Sequence, residues 1–292
     1  MTVLDLIQRS TAYLTQKGVD SPRLQSELLL AHVLHIPRLH LYLNFDRHLD
    51  PAELEAMRAL VKRRGRREPL QHVLGTTSFC GLELGVTRDV LVPRPETELL
   101  AEHAWQFLRS PPAPGDSSRR ILDFGTGSGC LAIAIAVKCP GARVVALDIS
   151  PAALSVAQAN ATRHQVADRL QFIAGNGLEA LAPAPGFDLV VSNPPYIPRT
   201  QIESLMPEVR DFDPRIALDG GSDGLEFYRR LAAQSGPLLR PGGRLMLELG
   251  DDQSAAVAEI LEASAWNILA VDPDFSGCPR VLTAGPAPPP HP

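Results

Sequence analysis

A chain of 292 residues with 45% apolar and 21% charged side chains has the profile of a soluble globular protein of one large or two smaller domains, which excludes a disordered chain. A net charge of −5 discourages unspecific binding to nucleic acid and to anionic membranes. The longest purely apolar run, Leu131 to Val137, is too short to span a bilayer, and Met1 to Leu14 carries Asp5 without the apolar core of a secretory signal. Cys80, Cys130, Cys139 and Cys278 are scattered, with no CxxC pair and no histidines at metal spacing, so reduced thiols, no metal and a cytoplasmic protein are expected.

Residues 1–76 read as a small helical bundle. Leu4, Ile7 and Leu14 fall near one helical face. Ser21-Pro22 reads as an N-cap followed by proline at the first helical position, opening a helix with Leu24, Leu28 and Ala31 on one side. Asp50-Pro51 repeats that signal before Leu54, Met57 and Val61. The basic run Lys62-Arg63-Arg64-Gly65-Arg66-Arg67 reads as the solvated face of a helix rather than a contact patch. Residues 77–95 then change period: Leu82, Leu84 and Val86 alternate with Glu83 and Gly85, and Val90-Leu91-Val92 follows a short turn, so a β-hairpin linker is predicted.

Arg109 to Ser118 is a surface loop by composition. From 96 to 284 strands and helices alternate, with strand candidates at Arg120 to Asp123, Arg143 to Leu147, Leu170 to Ile173, Asp188 to Val191 and Arg244 to Leu249. Such alternation implies an α/β domain with a mainly parallel sheet covered on both faces. Residues 285–292, dominated by proline, are predicted to be a disordered tail.

The strand Ile121-Leu122-Asp123 runs into Phe124-Gly125-Thr126-Gly127-Ser128-Gly129, and a helix starts near Cys130. Gly125, Gly127 and Gly129 let the backbone turn sharply and approach a ligand, and the helix N-terminus offers free N–H groups. Gly125 to Gly129, with Thr126 and Ser128, is therefore a cofactor loop for a dinucleotide or for S-adenosylmethionine. Its third glycine comes one residue earlier than in the dinucleotide fingerprint. The next strand ends in Asp148, placed to accept hydrogen bonds from ribose hydroxyls; Ser150-Pro151 then caps a helix carrying Leu154, Ala157 and Ala161.

The apolar strand Asp188 to Ser192 ends in Asn193-Pro194-Pro195-Tyr196, at the carboxyl edge where open α/β sheets bind ligands. An amide nitrogen is a poor nucleophile because its lone pair is delocalised. The Asn193 side-chain oxygen and the Pro194 carbonyl can each accept one N–H of a planar NH2 group, which aligns its nitrogen for in-line displacement and eases the positive charge that builds there. Proline stiffens the loop, and Tyr196 offers a flat wall. Following a DxGxGxG loop, this motif resembles that of methyltransferases acting on the planar NH2 groups of amides or nucleobases.

Further segments resemble one branch of these enzymes, the protein glutamine-N5 methyltransferases. They are Pro69 to Leu82, the PRPETE loop Pro93-Arg94-Pro95-Glu96-Thr97-Glu98, Asp213 to Gly221 with Asp223-Gly224-Leu225, Leu239 to Gly243, and Glu248-Leu249-Gly250. The resemblance covers nearly the whole chain, and the PRPETE loop points to the release-factor branch rather than to the ribosomal-protein one. It implies a Rossmann-like seven-stranded class I methyltransferase domain, S-adenosyl-L-methionine as cofactor, and class-1 peptide chain release factors as protein substrate, gripped by the helical domain. It also implies that Asn193, Pro194, Pro195 and Tyr196 hold the target glutamine, with Asn193 also at the cofactor. Asn176-Gly177 stands where the family often has an acidic residue and an aromatic beside the adenine. His72 stands where a tyrosine is common, and reads as a packed residue. Arg94 paired with Glu96 or Glu98 is an ion pair at the hinge or a substrate contact. The rival readings are an adenine-N6 nucleic-acid methyltransferase, which the acidic charge and the missing target-recognition insert disfavour, and a non-catalytic cofactor-binding partner of translation, which the intact motif disfavours. A dehydrogenase is the remoter alternative.

Overall fold

The computed structural model describes residues 1–109, 118–181 and 186–287; of the loop expected at Arg109 to Ser118, Arg109 ends a helix and residues 110–117 lie outside the described residues, as do 288–292. The chain forms two compact units, Met1–Thr76 with Leu205–Phe212 and Thr77–Ser204 with Asp213–Pro292.

The first unit contains α1 (Val3–Gln16), α2 (Pro22–Leu34), α3 (Pro51–Gly65) and the short α4 (Leu70–Leu74). Capping boxes start two of them: Thr2 with Asp5 for α1, and Asp50 with Glu53, ahead of Pro51, for α3. Ile7, Leu14, Leu29, Leu30, Leu41 and Met57 form the core. Helix α2 begins at Pro22 as expected, but Ser21 has φ 46° and its side chain makes no capping bond. Leu24 is exposed, since the buried face of α2 runs through Ser26, Leu29 and Leu30. The basic run is also corrected. Arg64 is buried, and Arg64 Nη2 and Arg67 Nε donate to Glu208 at 2.8 and 2.6 Å, while Arg63 pairs with Glu68 at 2.7 Å. Arg64 sits in the last turn of α3 and Arg67 just beyond its end, at φ 69°, and their shared carboxylate comes from a segment far along the chain, so only folding reveals it.

The next two strands, β1 (Thr76–Phe79) and β2 (Leu82–Gly85), form a hairpin that turns at Cys80 and Gly81, both at positive φ, so the turn falls inside the stretch expected to be one strand, and Val90-Leu91-Val92, expected as its partner, is not a strand. Then follow α5 (Pro95–Arg109), β3 (Arg119–Phe124), α6 (Cys130–Lys138), β4 (Ala142–Asp148), α7 (Pro151–Arg163), β5 (Leu170–Ala174) and β6 (Phe187–Ser192). The chain passes through α8 (Pro207–Arg210), which belongs to the first unit, and closes with α9 (Glu226–Gln234), β7 (Leu239–Glu248), α10 (Ser254–Ala263), β8 (Trp266–Pro273) and β9 (Pro279–Pro286).

The seven strands lie in the order β5-β4-β3-β6-β7-β9-β8. Strands β3 to β7 are parallel, and β9 runs antiparallel to both β7 and β8. Every residue of β6 is buried, as a central parallel strand requires. Helix α6 is almost wholly apolar and packs with β3 and β4 in one core, while α9 and α10 close a second core. The chain leaves β3 towards β4 on one side and reaches β6 on the other, which opens a crevice at the carboxyl ends of these strands. Residues 285 and 286, expected in the tail, belong to β9, where Gly285 and Pro286 stand opposite Asn267 and Trp266. Strand pairing overrides their composition.

Candidate active site

The crevice holds a cavity whose lining includes Gly125, Gly127, Asp148, Asn176, Gly177, Asn193 and Pro195. It is built from the end of β3 outward. The N–H groups of Gly125 and Thr126 both donate to Leu147 O, at 2.8 and 3.0 Å, which ties the loop to the end of β4. Gly125 and Gly127 have φ 72° and 54°, a region that penalises a Cβ. A Cβ at Gly125 would meet no protein atom within 4 Å, so the space beside it is open for a ligand.

Asp148 Oδ2 accepts from Gly127 N–H at 2.8 Å and Oδ1 from Ser150 N–H at 2.9 Å, while Ser150 Oγ caps α7 by accepting from Ala153 N–H. This carboxylate therefore organises the loop and also faces the cavity. Behind it, buried Asp123 accepts from Thr126 Oγ1 at 2.6 Å and from Ala132 N–H, and burial pushes its carboxyl up to about 7.

Three residues of the glycine loop do not line the cavity. The Thr126 hydroxyl is spent on Asp123, Ser128 is buried with its carbonyl accepting from Asn160, and Gly129 packs so tightly that a Cβ would strike Ile133 and Ala157. Pro194 and Tyr196 also lie off its lining; Tyr196 packs on the second core, and burial pushes its phenol up to about 12.

On β6, Ser192 Oγ donates to Phe124 O at 2.7 Å, which locks the ends of β6 and β3 together and sets Asn193 beside the glycine loop. Asn193 Nδ2 donates to Thr97 Oγ1 at 3.1 Å. The Thr97 hydroxyl also faces the buried carboxylate of Glu248 at the end of β7 and holds its pKa down, but burial outweighs it and pushes the carboxyl up to about 7. The folded protein thus takes up a proton there that the unfolded chain does not. That contribution to stability is full below the ordinary glutamate value and is lost as pH rises through about 7. Glu248→Gln is expected to flatten this part of the stability profile, measured by urea unfolding at pH 6 and pH 8.

Arg94 pairs with neither Glu96 nor Glu98 but with Asp213, at 2.6 Å, and burial pushes that aspartate up to about 6. Glu98 instead accepts from Cys80 N–H in the hairpin turn. His72 is buried.

Arg230, Phe227 and Asn160 carried no signal in the sequence. Arg230 bonds the Asn176 carbonyl and pairs with Glu179 at 2.8 Å, and a Cβ at Gly177 would collide with its guanidinium. Arg230 and Phe227 both line the cavity, so α9 supplies the wall where the sequence offers only Asn176-Gly177. Asn160 is buried on α7, accepts from Gly85 N–H at 2.7 Å and donates to Gly85 O and Ser128 O, fastening the hairpin to the glycine loop. Asn160→Ala leaves those groups unpaired and is expected to cost about 3 kcal/mol of stability, read from urea unfolding.

A sheet of this order, with a glycine loop and an acid ending its first two parallel strands and Asn-Pro-Pro-Tyr ending β6, defines a Rossmann-like methyltransferase domain. Residues 5–75 match the PrmC N-terminal domain and residues 97–207 the methyltransferase small domain. The chain is 45% identical over 281 residues to the release factor glutamine methyltransferase of Geobacter sulfurreducens, covering 96% of this chain and 95% of that one. It is 45% identical over 285 residues to that of Chlorobaculum tepidum, covering 97% and 96%. A methyltransferase structure from Pyrococcus furiosus shares the fold, with a TM-score of 0.52 at 19% identity over 76% of this chain and 97% of that one. The chain belongs to the release factor glutamine methyltransferase family. No described helix is long and apolar enough to cross a membrane.

Proposed function

We propose that this protein, in the cytoplasm, methylates the side-chain amide nitrogen of the glutamine in the Gly-Gly-Gln loop of class-1 peptide chain release factors, with S-adenosylmethionine as methyl donor. The observation that carries this reading is that Asp148 and Asn193, from different strands, line one cavity. Family membership along the full chain and the PRPETE loop support the release factor as substrate.

The residues present fit the cofactor. Gly125 leaves open space where a side chain would stand, and each Asp148 oxygen keeps a lone pair beyond its backbone bond for a ribose hydroxyl. Arg230 with Phe227 and Asn176 would border the adenine, and Asn193 would stand between cofactor and target. When bound, S-adenosylmethionine supplies a sulfonium-activated methyl group. Asn193 Oδ1 and the Pro194 carbonyl each take one N–H of the glutamine amide, so its nitrogen is held square to the line of transfer. Both acceptors carry partial negative charge and oppose the positive charge that develops on nitrogen. The N–C bond would form as the methyl–sulfur bond of the donor breaks, leaving a neutral thioether, and the extra proton on nitrogen would then pass to water, so a strong base in the cavity is not needed.

The test is to incubate the protein with S-adenosylmethionine and a recombinant release factor and to weigh the Gly-Gly-Gln peptide. A gain of one methyl on that glutamine is expected. No gain while the cofactor still binds would overturn the substrate, and a ribosomal protein and adenine in DNA would be tried in its place.

A further inference from the structure

Thr97, buried within the PRPETE loop, and Glu248, buried at the end of β7, have no part in the mechanism above, yet both connect to Asn193. A side-chain amide has two ends. Only its oxygen can accept from the NH2 of a target, whereas the reversed amide would set donor against donor. Resting on the proposed function, we propose that Thr97 and Glu248 are positioning residues that decide which end of Asn193 meets the substrate.

A threonine hydroxyl has one proton, and the Glu248 carboxylate, an acceptor only when ionised, takes it. Thr97 Oγ1 can then only accept from Asn193, so it receives the NH2 end, as the 3.1 Å bond from Nδ2 records. Among the described residues nothing donates to Asn193 Oδ1, which stays available in the cavity wall. Glu248 Oε2 has no hydrogen-bond partner, so the Thr97 hydroxyl meets only part of what this buried carboxylate can accept.

The same count predicts a pH dependence. Once protonated, Glu248 can donate to Thr97 as well as accept from it, so the hydroxyl is no longer held to one direction and the reversed Asn193 amide becomes populated. Arg280 and Arg94 favour the ionised carboxylate, Glu96 opposes it, and burial outweighs them. The other titratable groups facing it, Tyr196, Tyr228 and Cys130, are held neutral by burial throughout this range.

Thr97→Val keeps the shape of the side chain and removes both bonds. It is expected to lower kcat about 30-fold while the affinity for S-adenosylmethionine and KM for the release factor stay within about twofold, because the amide is misaligned rather than lost. Thr97→Ser should restore kcat to within about threefold. The kcat of the unsubstituted protein should fall as pH drops through about 7. Glu248→Gln should flatten that limb, since its carbonyl still accepts from Thr97 without titrating. Independently of turnover, 15N NMR should show one Asn193 side-chain proton protected from exchange, with the protection lost in Thr97→Val. Unchanged kcat in Thr97→Val, a persistent acid limb in Glu248→Gln, or Asn193 protons equally exposed in both proteins would each overturn the proposal. Absence of methylation by the unsubstituted protein would instead count against the proposed function, and the NMR comparison would still judge the positioning.

Discussion

Replacing Asn193 by alanine is expected to reduce the single-turnover rate of glutamine methylation by roughly 10³-fold, about 4 kcal/mol of transition-state stabilisation. The change removes Oδ1, one of two acceptors for the target NH2, and with it the alignment of the nitrogen. The rest of the site survives. The end of β6 is fixed by the Ser192 bond to Phe124 O and by pairing with β3 and β7, none of which involves the Asn193 side chain. Cofactor affinity is therefore expected to remain within about threefold, since the glycine loop and Asp148 are untouched. A rate within tenfold of the unsubstituted protein, at saturating cofactor, would take the amide out of the chemistry.

Asp148→Ala acts on binding instead. It removes two charge-assisted acceptors for the ribose and also the anchor of the Gly127 N–H, so affinity for S-adenosylmethionine should fall at least 100-fold, about 3 kcal/mol. Isothermal titration calorimetry measures the loss directly. Asp148→Asn keeps one carbonyl acceptor and should fall between the two. At saturating cofactor the Asp148→Ala rate should recover most of its value, because the groups that hold the glutamine lie on β6. A variant that binds as tightly as the unsubstituted protein would leave Asp148 only its structural bonds to Gly127 and Ser150.

These two variants probe residues that the sequence singles out because local pattern and chemistry coincide there. A strand with the apolar run Leu189-Val190-Val191 that leads into Asn-Pro-Pro-Tyr reads as a covered parallel strand delivering that motif to a carboxyl edge, and β6 is buried from end to end. The Ser150 cap is equally local, set by Asp148 and Ala153 within a few positions, whereas the glycine loop is held by Leu147 O and Asp148 from the end of β4. Strands β3 to β7 fall into the same category, since each announces itself by an apolar run between turn signals.

Interactions spanning long stretches of chain were settled by tertiary structure. Arg64 and Arg67 form part of an ordinary-looking basic run until Glu208, more than 140 residues on, arrives to pair with them in the first unit. Arg94 offers two glutamates nearby in sequence yet pairs with Asp213, because the hairpin claims Glu98 through Cys80 N–H. The cavity wall at Gly177 is a cation from α9, and the clamp between hairpin and glycine loop is an asparagine in the middle of α7. Thr97, Asn193 and Glu248 come from α5, the end of β6 and the end of β7, and none carries a local mark of its partner. Local pattern determined which residues could do the chemistry, because strand period, turn geometry and capping act over a few residues. Which donor met which acceptor was decided by folding, because burying a polar group forces it to find a partner wherever the sheet order brings one.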